Sequence, residues 1–231
     1  MRDVIIACDF KNKEGLMSFL SKMGDEKPYL KIGMELFYRE GAPLVKELKE
    51  SGYKIFLDLK LHDIPNTVYK AMRNLGELGV DITNVHAAGG VEMIRMAKKG
   101  LEEGAIGKNR PLLIAVTVLT SLNDEILKDE LKINLSSKET VDAYADNALK
   151  AGLDGVVCSP YEAKAMAEKG LISVTPGIRL EGDAVGDQKR VATPTFAREQ
   201  GATFIVVGRS ITDAENPLEV YRKCKKDFLG A

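Results

Sequence analysis

The stretch Lys54-Ile55-Phe56-Leu57-Asp58-Leu59-Lys60 decides the fold. Its apolar part is short and continuous, which is typical of a strand buried on both faces of a parallel sheet. Runs of the same kind recur along the chain, separated by longer amphipathic stretches, at residues 4–9, 29–33, 81–86, 111–119, 155–159, 172–176 and 203–208. With the first stretch, the sequence therefore predicts eight buried strands.

The stretches between these runs indicate helices. Residues 43–50 place their leucine and valine side chains on one helical face, and Ser136 with Glu139 forms a capping-box signature ahead of residues 140–150. Three approaches to a strand share one form, a helix stopped by glycine and followed by a short turn, at residues 78–81, 151–154 and 200–203.

Strand–helix units that follow one another without a Pro/Gly/Ser linker predict an α/β fold, a (β/α)8 TIM barrel that forms a single domain over residues 1–231. A barrel of this kind typically needs ~250 residues, so the chain has no room for a second domain. A doubly wound open sheet is the alternative, but it requires a glycine-rich turn after the first strand. Asp9-Phe10-Lys11-Asn12 follows instead, which favours the barrel.

The composition excludes several classes of function. Lys+Arg 33 against Asp+Glu 34 gives a net charge of -1, so no broad basic field is present for nucleic acid. Cys8, Cys158 and Cys224 are scattered and show no metal-ligand spacing. No stretch approaches the ~20 apolar residues of a membrane span, and the first apolar run is too short for a signal peptide. We therefore expect a cytoplasmic protein.

Charged residues collect where the first three strands end. In barrels of this class the chemistry lies at the C-terminal ends of the strands. Asp9, Lys31, Asp58, Lys60 and Asp63 all fall at or just after such ends. Strand side chains alternate, so Asp58 and Lys60 share one face and are predicted to point into the barrel mouth. A purely structural ion-pair cluster is the alternative for any single pair.

Two further features indicate an anion site. Gly208 and Arg209 follow the last strand, where phosphate sites are common in this fold and where arginine can bind phosphate oxygens bidentately. Residues 177–192 form a long polar loop of the kind that often closes over a barrel mouth. Arg179 and Gln188 are the loop residues best suited to reach an anion.

The run Phe56-Leu57-Asp58-Leu59-Lys60-Leu61-His62-Asp63-Ile64-Pro65-Asn66-Thr67-Val68 closely resembles the signature of orotidine 5'-monophosphate decarboxylases of the bacterial type. The resemblance extends over essentially the whole chain, including Ala7-Cys8-Asp9, residues 30–34, 116–121, 175–179 and 206–211. It implies a cofactor-free and metal-free enzyme that converts orotidine 5'-monophosphate to UMP and CO2 in the last step of UMP biosynthesis.

The resemblance also implies residue roles. Lys60 would donate a proton to C6 of the pyrimidine, Asp58 would lie beside the substrate carboxylate, and Lys31 would link Asp58 to the ribose. Asp63 would reach the active site of the partner subunit of a homodimer, with Ile64 and Thr67 from the same loop. Substrate contacts are implied for the remaining candidates: Asp9 at the ribose, Thr120 and Ser121 at the pyrimidine, Pro176 and Arg179 beside the lid, and Gln188, Gly208 and Arg209 at the phosphate.

Two rival functions are weighed against this one. Sugar-phosphate decarboxylases or aldolases of the related barrel group resemble the same Asp-x-Lys-x-x-Asp pattern but use a metal held partly by a glutamate where this chain has Lys31. A lysine opposes a divalent cation there. A catalytically silent barrel that only binds nucleotides or a partner protein would be expected to lack Lys60 or an aspartate of the pattern, and none is missing.

Overall fold

Eight parallel strands close into a barrel in the order in which they occur along the chain. The structure is a computed structural model that describes residues 2–180 and 192–230. The strands are β1 (Asp3–Ala7), β2 (Tyr29–Gly33), β3 (Ile55–Leu61), β4 (Ile82–His86), β5 (Leu112–Val116), β6 (Gly155–Val157), β7 (Ile172–Thr175) and β8 (Phe204–Val207). β8 pairs with β1 and so closes the barrel.

Helices connect the strands and surround the barrel. In the described ranges they are α1 (Lys13–Ser21), α2 (Met34–Glu50), α3 (Pro65–Glu77), α4 (Gly90–Gly104), α5 (Asp124–Asp129), α6 (Ser137–Lys150), α7 (Ala163–Glu168), α8 (Pro194–Glu199), α9 (Arg209–Thr212) and α10 (Pro217–Leu229). α2 is broken at Gly41, whose φ of 68° suits glycine, and resumes at Pro43. The predicted helix over residues 43–50 is therefore confirmed as the second half of α2.

The barrel has two apolar layers. One lies inside the barrel and includes Tyr29, Phe56, Ile82 and Phe204. The other lies between the strands and the helices and includes Leu57 and many helix residues. Alternation along each strand sends neighbouring residues to opposite layers, which explains why the strands read as continuous apolar runs.

The helices that follow β3 and β4 pack unusually close together. A Cβ added to Gly100 would lie 2.1 Å from the carbonyl oxygen of Tyr69, and one added to Gly104 would lie 1.9 Å from that of Arg73. Only glycine permits these approaches of α4 to α3. Because α3 begins directly after the loop that carries Asp63, this packing fixes the position of that loop relative to the barrel.

The N-terminal end of the barrel contains a repeated hydrogen-bonding pattern that follows the three glycine turns. Gly79, Gly152 and Gly201 all have φ between 70° and 77°, as expected for a glycine after a helix. Two residues later, the Asp81 carboxylate accepts a hydrogen bond from the backbone N–H of Ile55 at 2.7 Å. Asp154 accepts one from Leu113 at 2.8 Å, and Thr203 accepts one from Ser173 at 3.3 Å. The side chain after each turn thus binds the backbone of the neighbouring strand.

Most of the predictions about the fold are confirmed. The eight strands fall within or next to the predicted runs, and the Ser136–Glu139 capping box is present. The doubly wound alternative is wrong because the sheet is closed. Cys8, Cys158 and Cys224 are all buried. Among the described helices, none is long and apolar enough to cross a bilayer. A single domain over all of 1–231 stays a prediction, because residues 1, 181–191 and 231 lie outside the described ranges.

We expect Asp154→Ala to lower the free energy of unfolding by about 1–3 kcal/mol, because it removes the acceptor of a largely buried backbone N–H. It also removes the partner of Arg110, which donates to both carboxylate oxygens at 2.9 and 2.6 Å. Asp146→Ala is the matched control: it breaks a more exposed ion pair with Lys169 and is expected to cost less than about 1 kcal/mol. Urea denaturation measures both values. Equal losses would contradict the role given to Asp154.

Candidate active site

The interior of the barrel changes from apolar to polar towards the C-terminal ends of β2, β3 and β4. On each strand the polar residue comes two positions after an apolar residue that lies inside the barrel, so both side chains point inward. On these strands Tyr29 is followed by Lys31, Phe56 by Asp58 and Ile82 by Asn84. On β5 to β7 the lining of the mouth stays largely apolar, with Val116, Val157 and Val174. The mouth therefore has a charged side and an apolar side.

Four charged side chains form a continuous chain of ion pairs on the charged side. The Lys31 ammonium lies 2.9 Å from Asp9 Oδ1 and 3.5 Å from Asp58 Oδ2. The Lys60 ammonium lies 2.8 Å from Asp58 Oδ1. Lys31 and Asp58 are 9% and 8% exposed, so the central pair is buried. Buried charges are tolerated when they are paired and hydrogen-bonded in this way.

The ion pairs keep the central residues charged. Burial alone would lower the pKa of Lys31, but the Asp58 and Asp9 carboxylates outweigh it, and the pKa of Lys31 is raised. Burial alone would raise the pKa of Asp58, but Lys31, Lys60 and the Asn84 amide outweigh it, and the pKa of Asp58 is lowered. Asp58 is therefore a carboxylate and Lys31 an ammonium over the whole neutral pH range.

Lys60 has a backbone conformation that the sequence did not indicate. Its φ is +51°, which is uncommon for a residue other than glycine, and the pairing of β3 with β4 shifts register between Leu57 and Leu61. This bulge turns Lys60 at the rim of the barrel, while Leu59 stays in the outer apolar layer. The predicted placement of Asp58 and Lys60 on one side is nevertheless observed, since the two side chains meet.

Asn84 is a site residue that the sequence analysis missed. Its side-chain N–H donates to Asp58 Oδ1 at 2.7 Å, and its Oδ1 accepts from the backbone N–H of Lys60 at 2.8 Å. Asn84 is fully buried. Its signal in the sequence was a polar residue at an inward position of the buried run 81–86.

A cavity of about 540 Å³ opens at this end of the barrel. Nine of the fourteen predicted site residues line it: Asp9, Lys31, Asp58, Lys60, Thr120, Pro176, Arg179, Gly208 and Arg209. Gly208 and Arg209 follow β8, which is separated from β3 by β1 and β2. The cavity is therefore large enough for a small nucleotide, with candidate anion-binding groups at a distance from the buried ion pairs.

Four other predicted site residues in the described ranges are not among those that line this cavity. Asp63, Ile64, Thr67 and Ser121 are exposed, and Ile64 is 67% exposed. Asp63 Oδ1 accepts a hydrogen bond from the backbone N–H of Ile64 at 2.6 Å. Gln188 lies outside the described residues. The functional roles of all fourteen residues stay predictions.

The two ends of the predicted lid loop are held together. Ala192 donates its N–H to the carbonyl of Gly177 at 3.1 Å, and Arg179 donates its N–H to the carbonyl of Ala192 at 3.0 Å. Gly177 has a φ of +82°, which favours glycine at this turn. These contacts fix the backbone of Arg179, which lines the cavity. Residues 181–191 of the loop lie outside the described ranges.

The set of donor groups is unfavourable for a divalent cation. The position between Asp9 and Asp58 is taken by the Lys31 ammonium, which adds positive charge where a cation would need negative ligands. In residues 2–180 and 192–230 there is no group of three or more His, Cys, Asp or Glu side chains suited to hold a metal ion. The geometry thus agrees better with the metal-free expectation than with the metal-dependent rival.

Comparison with known proteins identifies the family. The model of the orotidine 5'-phosphate decarboxylase / HUMPS family matches residues 2–224. A Bacillus cereus (strain Q1) protein named orotidine 5'-phosphate decarboxylase is 53% identical over 99% of this chain and 98% of its own length. One of the same name from Bacillus mycoides (strain KBAB4) is 52% identical over the same shares.

A solved structure agrees with these relatives. The crystal structure of orotidine 5'-phosphate decarboxylase from Lactobacillus acidophilus superposes with a TM-score of 0.89 at 46% identity, covering 99% of each chain. The resemblance noted in the motifs is therefore confirmed over the length of the protein. The chain belongs to the orotidine 5'-phosphate decarboxylase / HUMPS family.

Proposed function

We propose that this protein is a carboxy-lyase of pyrimidine biosynthesis that converts orotidine 5'-monophosphate to UMP and CO2 without a cofactor or a metal. Its family and the names of relatives that match nearly its full length support this activity. The single structural observation that carries the proposal is the Lys60 ammonium, held 2.8 Å from the Asp58 carboxylate in the cavity.

The proposed reaction has two steps. The bond from C6 to the carboxylate carbon breaks, CO2 leaves, and the electron pair stays on C6. The Lys60 ammonium then gives a proton to C6, which forms UMP and leaves a neutral amine that regains a proton from solvent. A fixed ammonium beside C6 stabilises the negative charge as it develops, because it needs no reorganisation at the moment of reaction.

The remaining groups of the charged side orient the substrate. Asp58 lies beside the substrate carboxylate and holds Lys60, while Lys31 connects Asp58 to the ribose. Asp9 binds a ribose hydroxyl, which agrees with its more exposed position at the end of the ion-pair chain. Thr120 and Ser121 bind the pyrimidine edge; the first of these lines the cavity.

The phosphate binds on the opposite side of the mouth. Gly208 and Arg209 supply backbone N–H groups, and the guanidinium of Arg209 binds phosphate oxygens. Gln188 from the lid completes the site, with Arg179 and Pro176 at the edge of the lid. Binding energy from the phosphate, far from C6, can drive closure and so support the chemical step.

The active protein is proposed to be a cytoplasmic homodimer with shared sites. Asp63 of the partner subunit enters the cavity near Lys60, together with the partner's Ile64 and the partner's Thr67. Support comes from the exposure of these side chains and from their absence from the lining of the cavity in their own barrel, which leaves them accessible to another chain. Ile64 is 67% exposed.

We expect the purified protein to consume orotidine 5'-monophosphate in excess EDTA, and Lys60→Ala to abolish this turnover while the protein stays folded. The reason is that Asp58 keeps Lys31 and Asn84 as partners when Lys60 is lost. Loss of orotidylate absorbance measures the reaction, and circular dichroism checks the fold. Activity that disappears with EDTA would favour the metal-dependent rival, and near-normal turnover of Lys60→Ala would remove its catalytic role.

Arg209→Ala is the control for this experiment, because it changes the phosphate side alone. It should lower kcat/KM for the nucleotide but should matter much less for orotidine, which has no phosphate. Equal losses on both substrates would contradict the assignment of Arg209 to the phosphate.

Mixing inactive Lys60→Ala and Asp63→Ala chains should restore activity if the sites are shared. Each mixed dimer then has one site with Lys60 of one chain and Asp63 of the partner subunit. Random exchange between equal amounts of a two-fold dimer should give about a quarter of the wild-type activity per site. If both residues acted within one chain, every site would keep one defect and no activity would return.

A further inference from the structure

Asn84 links both ends of Lys60. Its Oδ1 accepts from the Lys60 backbone N–H at 2.8 Å, and its Nδ2 donates to Asp58 Oδ1 at 2.7 Å. The same Asp58 oxygen lies 2.8 Å from the Lys60 ammonium. The three residues therefore form a closed ring of contacts that begins at the backbone of Lys60 and returns to its side-chain nitrogen.

Only a side-chain amide of the length of asparagine can make both hydrogen bonds of this ring. The Lys60 N–H needs an acceptor and the Asp58 carboxylate needs a donor, and the Asn84 side chain offers one of each. An aspartate would keep the acceptor but present oxygen to the Asp58 oxygen. A leucine of similar size would leave the Lys60 N–H buried without this acceptor and would remove one of the donors to Asp58.

The ring holds a backbone conformation that Lys60 would otherwise avoid. Lysine rarely adopts a φ of +51°, and such conformations persist only where the surrounding structure imposes them. β3 departs from regular pairing with β4 at this point, since its register shifts between Leu57 and Leu61. The Asn84 side chain replaces the missing strand pairing with a hydrogen bond to the Lys60 amide.

We propose that Asn84 is a positioning residue for proton delivery: it sets the turned backbone of Lys60 and the orientation of Asp58, so that the Lys60 ammonium points at the reacting carbon. This inference rests on the proposed decarboxylation. Asn84 itself is not proposed to touch the substrate. It acts through Lys60 and Asp58.

Two variants test the two halves of the ring. Asn84→Ala removes both hydrogen bonds, and the nearly isosteric Asn84→Asp keeps the acceptor for the Lys60 N–H but loses the donor to Asp58. We expect each to lower kcat for orotidine 5'-monophosphate about 100-fold, the loss typical of a misplaced catalytic group. The affinity for UMP should stay unchanged, because the phosphate site lies across the mouth.

Two further readouts separate positioning from stability. Exchange of the C6 hydrogen of UMP for deuterium in D2O reports proton transfer by Lys60 alone and should fall as kcat falls. In Asn84→Asp, the new carboxyl can donate to Asp58 only while protonated, so residual kcat should fall as pH rises. The charged or titratable groups near position 84 are Asp58, Lys60, Lys31 and His86. The wild type has the same groups, so its kcat should not show this additional decrease with rising pH.

Thr83→Val is the matched control on the same strand. The Thr83 hydroxyl donates to the carbonyl of Leu57 at 3.1 Å, so valine removes one buried contact between β3 and β4 without touching the ion pairs. It should leave kcat, UMP affinity and C6 exchange at wild-type values.

Selective losses of kcat and C6 exchange in both Asn84 variants, with Thr83→Val unaffected, would support the proposal. Wild-type turnover in a folded Asn84 variant would overturn it, as would parallel losses of kcat and UMP affinity or failure of both variants to fold, since these assign Asn84 to stability alone. Absence of activity in the wild-type protein would instead contradict the proposed decarboxylase function.

Discussion

The Asp58 carboxylate is the group on which the rest of the site depends. It lies inside a closed barrel, is 8% exposed, and contacts the ammonium groups of Lys31 and Lys60 and the amide of Asn84. Loss of Asp58 would take the shared counter-charge from both ammonium groups at once, which is far more costly than loss of a surface ion pair. With Asp9 included, two carboxylates balance two ammonium groups, so the site holds fixed charges of both signs without a large net charge. A preorganised ammonium of this kind is what an anionic intermediate needs.

The two ends of the barrel use polar groups for different purposes. At the N-terminal end, Asp81, Asp154 and Thr203 bind backbone N–H groups of neighbouring strands and so stabilise the closed sheet. At the C-terminal end, the inward polar residues bind one another around a cavity of about 540 Å³. This division is the one expected of TIM barrels, in which function lies beyond the C-terminal ends of the strands. A stable N-terminal end allows the C-terminal end to hold buried charges and the unfavourable backbone conformation of Lys60.

Much of this arrangement could be predicted from the sequence. Short apolar runs predicted the eight strands, and alternation predicted that Asp58 and Lys60 would meet. Two features were missed. The positive φ of Lys60 follows from a register shift between strands, which no local pattern of residues encodes. Asn84 was overlooked because the role of a polar side chain in a buried strand is not defined until its neighbours across the sheet are known. Contacts with a second chain, such as those proposed for Asp63, are likewise beyond the reach of patterns within one chain.

A crystal structure of the protein with bound UMP tests the central claim most directly, because it measures the distance between the Lys60 ammonium and C6. The account predicts that this nitrogen lies within about 3.5 Å of C6, the separation expected of groups poised to react, with the phosphate on Gly208 and Arg209. A complex in which the ammonium points into solvent, or in which C6 lies on the apolar side of the mouth away from Asp58, would contradict it.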